Sequence, residues 1–214
     1  KPSSAASDVY KRQPVMAAHQ KCVQGNEKIM YYLAQMVRYP YDFKQLIYSS
    51  QLVQADCIRS NVEHMRRARG RCMGSAYWQV NDSNPVISWS SIDYFGRWKG
   101  LHYYAKRFYA PCLISCDDTD RKKPVLNISN ERMTAFEGVV KWTLRNNKAE
   151  ILQSGEKSVS VPALTAQNVL DIDLSDELKN RTDPREKYLE YSIMENGKAV
   201  SYTHLRAHET LMNL

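Results

Sequence analysis

The feature that most constrains this chain is a change of hydrophobic period at Ala110-Pro111. Before it, apolar residues recur at steps of three and four. Phe43, Leu46, Ile47, Val53, Cys57, Ile58, Val62 and Met65 mark one face of an amphipathic helix of about seven turns. Tyr39-Pro40-Tyr41-Asp42 opens this helix, with Asp42 as its N-cap. Arg66, Arg67 and Arg69 sit at the negative end of its dipole, and Gly70 stops it. After Pro111 the period falls to two. Leu126 and Ile128 alternate with polar neighbours, as do Val140, Trp142 and Leu144, then Leu170, Ile172 and Leu174, then Leu189, Tyr191 and Ile193. Turn signals at Asn146-Asn147, Ser154-Gly155, Asp183-Pro184 and Asn196-Gly197 separate these runs. Short alternating strands at this spacing predict an antiparallel β-sandwich.

Between the long helix and the boundary lies Cys72-Met-Gly-Ser-Ala-Tyr-Trp-Gln-Val80, a mostly apolar run with small residues early. It reads as a strand buried on both faces, as in parallel sheets. Asn81-Asp82-Ser83-Asn84-Pro85 follows as a polar loop. A second helix is expected from Ser90, where Ser90 and Asp93 have near-capping-box spacing. Its inner face would be Ile92, Phe95, Trp98, Leu101, Ala105 and Phe108, and Ala110-Pro111 would end it. Helix, buried strand, loop and helix is the rhythm of an α/β repeat. The fold class is therefore α/β followed by all-β.

Composition narrows the function classes. The net charge of +7 invites a nucleic-acid reading, but Lys1, Lys11 and Arg12 supply part of it, and a solvated basic surface accounts for the rest. Tyr103, Tyr104, Lys106, Arg107 and Tyr109 form a basic aromatic cluster, read as barrel contact and solvent face rather than as a nucleic-acid surface. No apolar run reaches the roughly 18 residues of a membrane span. The five cysteines, Cys22, Cys57, Cys72, Cys112 and Cys116, are scattered without a Cys-x-x-Cys pair and read as buried free thiols. No metal or cofactor is implied.

The most informative stretch runs from Arg69-Gly-Arg-Cys-Met-Gly-Ser-Ala-Tyr-Trp-Gln-Val-Asn-Asp82 to Trp89-Ser-Ser-Ile-Asp-Tyr-Phe-Gly-Arg-Trp-Lys-Gly-Leu-His-Tyr-Tyr-Ala-Lys-Arg-Phe108. It resembles the β-mannosidases of glycoside hydrolase family two, at the last strand and last helix of their catalytic (β/α)8 TIM barrel. His19-Gln20-Lys21 and Tyr31-Tyr-Leu-Ala-Gln35 fit the segment after the nucleophile strand of that family. Leu126-Asn-Ile-Ser-Asn-Glu-Arg-Met133 looks like the start of its immunoglobulin-like domain. The resemblance implies a retaining hydrolase of terminal β-D-mannosides. Such enzymes use two carboxylates about 5 Å apart. Both catalytic glutamates are expected upstream of this chain, so the chain alone would be inactive. Asn26-Glu27, Asn130-Glu131 and Glu195-Asn196 are rejected as candidates, because none ends a buried parallel strand. β-Galactosidase, β-glucuronidase and a non-catalytic carbohydrate-binding module are the alternatives.

The residues expected to bind substrate are Trp78, Asn81 and Asp82. A tryptophan near the C-terminal end of a barrel strand offers a flat apolar face to a sugar ring. The resemblance also places a substrate-contacting tryptophan in this Tyr-Trp-Gln segment. Core packing is the rival role. The Asn81 amide and Asp82 carboxylate suit sugar hydroxyls, with loop capping as their rival role. The partner is a carbohydrate, with no nucleic acid and no membrane, in a bacterial cytoplasm.

Both ends read differently. Residues 3–13 look like a direct translation of a transposon-based sequencing adapter, and residues 200–210 look like its partner read in the opposite sense. The expected organisation is an adapter-derived tail (1–13), the C-terminal part of a glycosidase TIM barrel (14–110), an incomplete immunoglobulin-like β-sandwich (111–199) and a second adapter-derived tail (200–214). A gene assembled from a microbial community is implied. The His204 and His208 pair, spaced like metal ligands on a helix, is then no zinc site.

Overall fold

A computed structural model describes residues 13–180 and 186–206. They divide into two compact units. Residues 13–61 and 76–106 form the first, and residues 62–75 and 107–206 the second. Asp183-Pro184, His208 and residues 1–12 lie outside the described residues.

The first unit is helical with one long irregular segment. It contains α1 (Gln13–His19), α2 (Gly25–Met36) and most of α3 (Phe43–Arg67), followed later by the start of α4 (Gly100–Phe108). Asp42 is the N-cap of α3, as expected: its Oδ1 accepts the Gln45 N–H at 2.7 Å. Leu33 and Leu46 are buried together, with Met16, Met30, Val37 and Phe43 packed against them. The stripe on α3 is narrower than its apolar positions suggest. Leu46, Val53 and Val62 are buried, whereas Ile47 and Cys57 are exposed.

Two expectations about this unit need correction. The run from Cys72 to Val80 forms no strand, and Met73, Trp78 and Val80 are exposed. A parallel strand takes its ladder from neighbours on either side. Among the described residues the first unit offers only isolated bridges, Asn81 with Ile92 and Gln20 with Ile87 in parallel, and Ile92 with Trp98 antiparallel. A closed barrel is therefore not formed by these residues. The second helix starts at Gly100 rather than Ser90. Asp93 instead closes a tight loop, its Oδ1 accepting the N–H groups of Phe95 and Arg97. Side-chain bonding of this kind offers the backbone an alternative to the helix. Leu101, Ala105 and Phe108 are buried as expected, but Phe95 and Trp98 are exposed.

The second unit is a sandwich of two antiparallel sheets. Strands β1 (Cys112–Asp117), β2 (Val125–Asn130) and β5 (Thr165–Asp171) form one sheet in the order β1-β2-β5. Strands β3 (Phe136–Asn146), β4 (Ile151–Val161), β6 (Lys187–Glu195) and β7 (Lys198–Arg206) form the other, in the order β4-β3-β6-β7. The alternating residues meet between them: Ile114, Leu126, Ile128, Val140, Leu144, Leu189, Tyr191 and Ile193 share one core. An immunoglobulin-type sandwich uses about seven strands. Seven are present among the described residues, the last of them running past residue 199.

Two differences in the sandwich have clear causes. Ser154-Gly155 lies inside β4 rather than in a turn, because Gly155 faces Trp142 across the β3–β4 pair. A Cβ on Gly155 would stand 2.7 Å from the indole Nε1, so glycine gives the ring its seat. Residues 200–206, assigned above to a tail, extend β7 along β6. An unpaired strand edge accepts any β-compatible partner. Here Asn196-Gly197 supplies a two-residue turn with φ of 50° and 75°, which folds the chain back onto that edge. Val200 packs against the core, and the Ser201 hydroxyl accepts the Ile114 N–H at 3.4 Å.

The cysteines are free, as expected, but only Cys112 and Cys116 are buried. Burial pushes the Cys112 thiol up to about 11 and raises Cys116 as well, which makes both inert at neutral pH.

Candidate functional site

The three predicted substrate residues lie in the irregular segment of the first unit. Two of them face solvent. Trp78 is 74% exposed, and Asn81 is exposed as well. Asp82 is different: its side chain is 2% exposed.

What holds Asp82 is a cluster that sequence reading missed. The Ser88 hydroxyl donates to both carboxylate oxygens at 2.6 and 2.7 Å, and the Ser90 hydroxyl donates to Oδ2 at 2.5 Å. Lys99, 14% exposed, points its ammonium group at the Ser90 hydroxyl at 2.7 Å and at Asp82 Oδ2 at 3.4 Å. Gln79 Nε2 donates to Oδ1 at 3.4 Å. Burial pushes the Asp82 carboxyl upward. The two hydroxyls and the Lys99 charge outweigh it and hold the group below its ordinary value. Asp82 is thus an ionised, saturated loop anchor. These partners fit the loop-capping role that was the rival to bonding sugar hydroxyls.

A second set of bonds ties the backbone just after Trp78 and the side chain just before it. The Ser91 N–H donates to Gln79 O at 3.0 Å, and the Ile92 N–H to Val80 O at 2.7 Å. Ser91 is fully buried, and its hydroxyl lies 2.9 Å from the Tyr77 hydroxyl, 3.0 Å from Val80 O and 3.1 Å from His102 Nδ1. A serine has one proton. Given to the Val80 carbonyl, it leaves Ser91 Oγ to accept from Tyr77 and from a His102 ring protonated at Nδ1. His102 is itself covered by Trp98, with ring centroids 4.5 Å apart. The Trp78 indole therefore stands in solvent between two tethered neighbours, an arrangement that can stack on a ring-shaped ligand with little loss of backbone entropy.

Sequence signals for this cluster exist. Ser88, Ser90 and Ser91 put three hydroxyls into four residues, after one aspartate and before one lysine. Read as a helix start, the run hid its role.

The basic residues are occupied elsewhere. In the second unit Arg66 donates to Phe108 O at 2.6 Å, and Arg69 pairs with Glu131 at 2.6 Å. They border a cleft of about 400 Å³ whose lining includes Cys72, Tyr109 and Pro111 and none of the three predicted residues. The rejected glutamates have local roles too. Glu131 takes Arg69, and Glu195 takes Arg132 at 2.8 Å. Among the described residues no helix is long and apolar enough to cross a membrane.

Comparison with known proteins adds to this picture. Residues 123–206, most of the sandwich, match the family described as Mannosidase Ig/CBM-like domain. A β-mannosidase of Bos taurus is 34% identical over 131 residues, covering 55% of this chain and 15% of that protein. One from Capra hircus is 44% identical over 86 residues, covering 36% and 10%. Over these stretches the chain is similar to β-mannosidases. It spans at most 15% of the length of these relatives. A crystal structure of β-D-mannosidase from Dictyoglomus thermophilum superposes with a TM-score of 0.83 at 22% identity, covering 91% of this chain and 23% of that one. An exo-chitosanase of Amycolatopsis orientalis reaches 0.59 at 21% identity, covering 76% and 19%. These two likenesses concern the fold.

Proposed function

We propose that this chain supplies one wall of the sugar pocket in a retaining β-mannosidase, with Trp78 as the stacking platform and Asn81 as a hydrogen-bonding neighbour. The single observation that carries the reading is the exposed indole of Trp78, held between the tethered residues Tyr77 and Gln79. A sugar presents a C–H face that matches an indole.

The chemistry would be double displacement in a (β/α)8 barrel. One glutamate attacks the anomeric carbon while a second protonates the departing glycosidic oxygen, giving a mannosyl ester. Water, deprotonated by the second glutamate, then releases mannose and restores the first. Both glutamates belong to chain outside this sequence. Here Asn26-Glu27 lies at the start of α2 and Asn130-Glu131 at the end of β2, and neither suits the task. The substrate would be a terminal β-D-mannoside, taken up without metal or cofactor.

The test uses the relative-length protein encoded by a longer reading frame. Trp78→Ala should lower kcat/KM for p-nitrophenyl β-D-mannoside by roughly ten- to a hundredfold, equivalent to about 1.5–3 kcal/mol of apolar contact. An unchanged value removes Trp78 from the pocket. Faster turnover of the galactoside or glucuronide than of the mannoside overturns the glycone assignment.

A further inference from the structure

We propose that Lys99 is a positioning residue for the Trp78 platform, acting through the buried Asp82–Ser88–Ser90 cluster; this rests on the reading of Trp78 as a sugar platform.

The geometry has three parts. First, Lys99 joins distant points of the loop. Its ammonium group lies within 3.4 Å of Asp82 Oδ2, 3.3 Å of the Ser88 hydroxyl and 2.7 Å of the Ser90 hydroxyl, while its own N–H donates to Ser91 O at 2.9 Å. Second, Asp82 passes the constraint back towards Trp78, because Gln79, next to Trp78, reaches the Asp82 carboxylate with its side chain. Third, Lys99 immediately precedes α4. The Gly100 N–H is tied to Gln51 Oε1 of α3 at 3.0 Å, and a Cβ at Gly100 would stand 3.2 Å from Gln51 O. The lysine is thus fixed to the helical part of the unit, and the loop is fixed to the lysine.

The charges decide that this is a clamp rather than a packed polar loop. A buried carboxylate with two hydroxyl donors still needs a counter-charge. Lys99 is the cation within reach of Asp82. A neutral side chain at 99 leaves the carboxylate unbalanced, and the cheapest relief is for the loop to open to water. The indole would remain present but lose its fixed orientation.

The test labels the 214-residue chain with 5-fluorotryptophan and reads its four indoles by fluorine NMR, with Trp78 assigned through Trp78→Phe. In the unmodified chain Trp78 should give one narrow resonance. Lys99→Met should shift it and broaden it at least twofold while the Trp142 resonance stays in place, and Lys99→Arg should restore much of the narrow line. A Trp78 resonance unchanged in Lys99→Met overturns the proposal. Should Lys99→Met unfold the unit and collapse the Trp89 and Trp98 resonances too, Lys99→Gln takes its place. It keeps a hydrogen-bond donor at position 99 and removes the charge. Broadening confined to Trp78 supports the clamp, and an unchanged line refutes it. The kinetics of Trp78→Ala in the longer protein separate the two readings. An unchanged kcat/KM there removes the platform, while the clamp is still judged by line width.

Discussion

Asp82 and Lys99 place the main electrostatic commitment of the first unit in one ion pair. Removing one partner of a buried pair leaves the other charged and unsolvated, at a cost of about 3–5 kcal/mol. Lys99 is partly open, so Asp82→Asn should fall at the lower end, measured by urea unfolding of the first unit. The pH dependence follows from the direction of the shift. The Asp82 carboxyl titrates below its unfolded value of 3.8, so its contribution is fully present above that value. It is lost as the pH falls through the folded value. Urea midpoints measured downwards from pH 5 should therefore drop below about pH 4 in the unmodified chain, and less steeply in Asp82→Asn. At Trp78 and Asn81 residue type alone suggests a flat apolar face and an amide, and both stand exposed. The cluster around Asp82 was not legible for a physical reason: a carboxylate serves a ligand or a loop equally well, and its loop partners Ser88, Ser90 and Lys99 come together only in the fold.

At the level of elements, legibility tracked how local the cause was. The start of α3 was readable because an N-cap is decided within four residues, and Asp42 does bond the Gln45 N–H. Asp42→Ala should cost about 1 kcal/mol, seen as a lower thermal midpoint, while Asp42→Ser should recover most of it. The Asn196-Gly197 hairpin was readable for the same reason. β4 was not, since its residues are mostly exposed and its place follows from pairing with β3. The segment from Cys72 to Val80 has the composition of a buried strand, yet a strand is a relation between two stretches of chain. Its partner has to be present for the pattern to become structure. The start of α4 moved ten residues because Asp93 bonds Phe95 and Arg97 locally, where the apolar period alone continued the helix.

The whole molecule joins an immunoglobulin-like sandwich of mannosidase type to a helical unit with an exposed aromatic surface. Trp78, Trp89, Tyr94, Phe95, Trp98 and Tyr103 all stand in solvent there. The chain alone should hydrolyse no p-nitrophenyl β-D-mannoside, because no described residue pair offers two opposed carboxylates on this surface; clear turnover by the purified chain would contradict the assignment. The hydrophobic period at Ala110-Pro111 separated the sandwich strands from what precedes them, but residues 62–75 group with the sandwich. Within that grouping Arg69 meets Glu131, a contact between positions far apart in sequence.

The seat that Gly155 gives to Trp142 has a spectroscopic consequence. Trp142 is partly buried in the second unit, whereas Trp78, Trp89 and Trp98 are open to water in the first. Exposed indoles emit at long wavelength and sheltered ones at shorter wavelength. The blue side of one emission band thus follows the sandwich, and quenching of its red side by iodide follows the helical unit, so the melting of each can be tracked in a single cuvette.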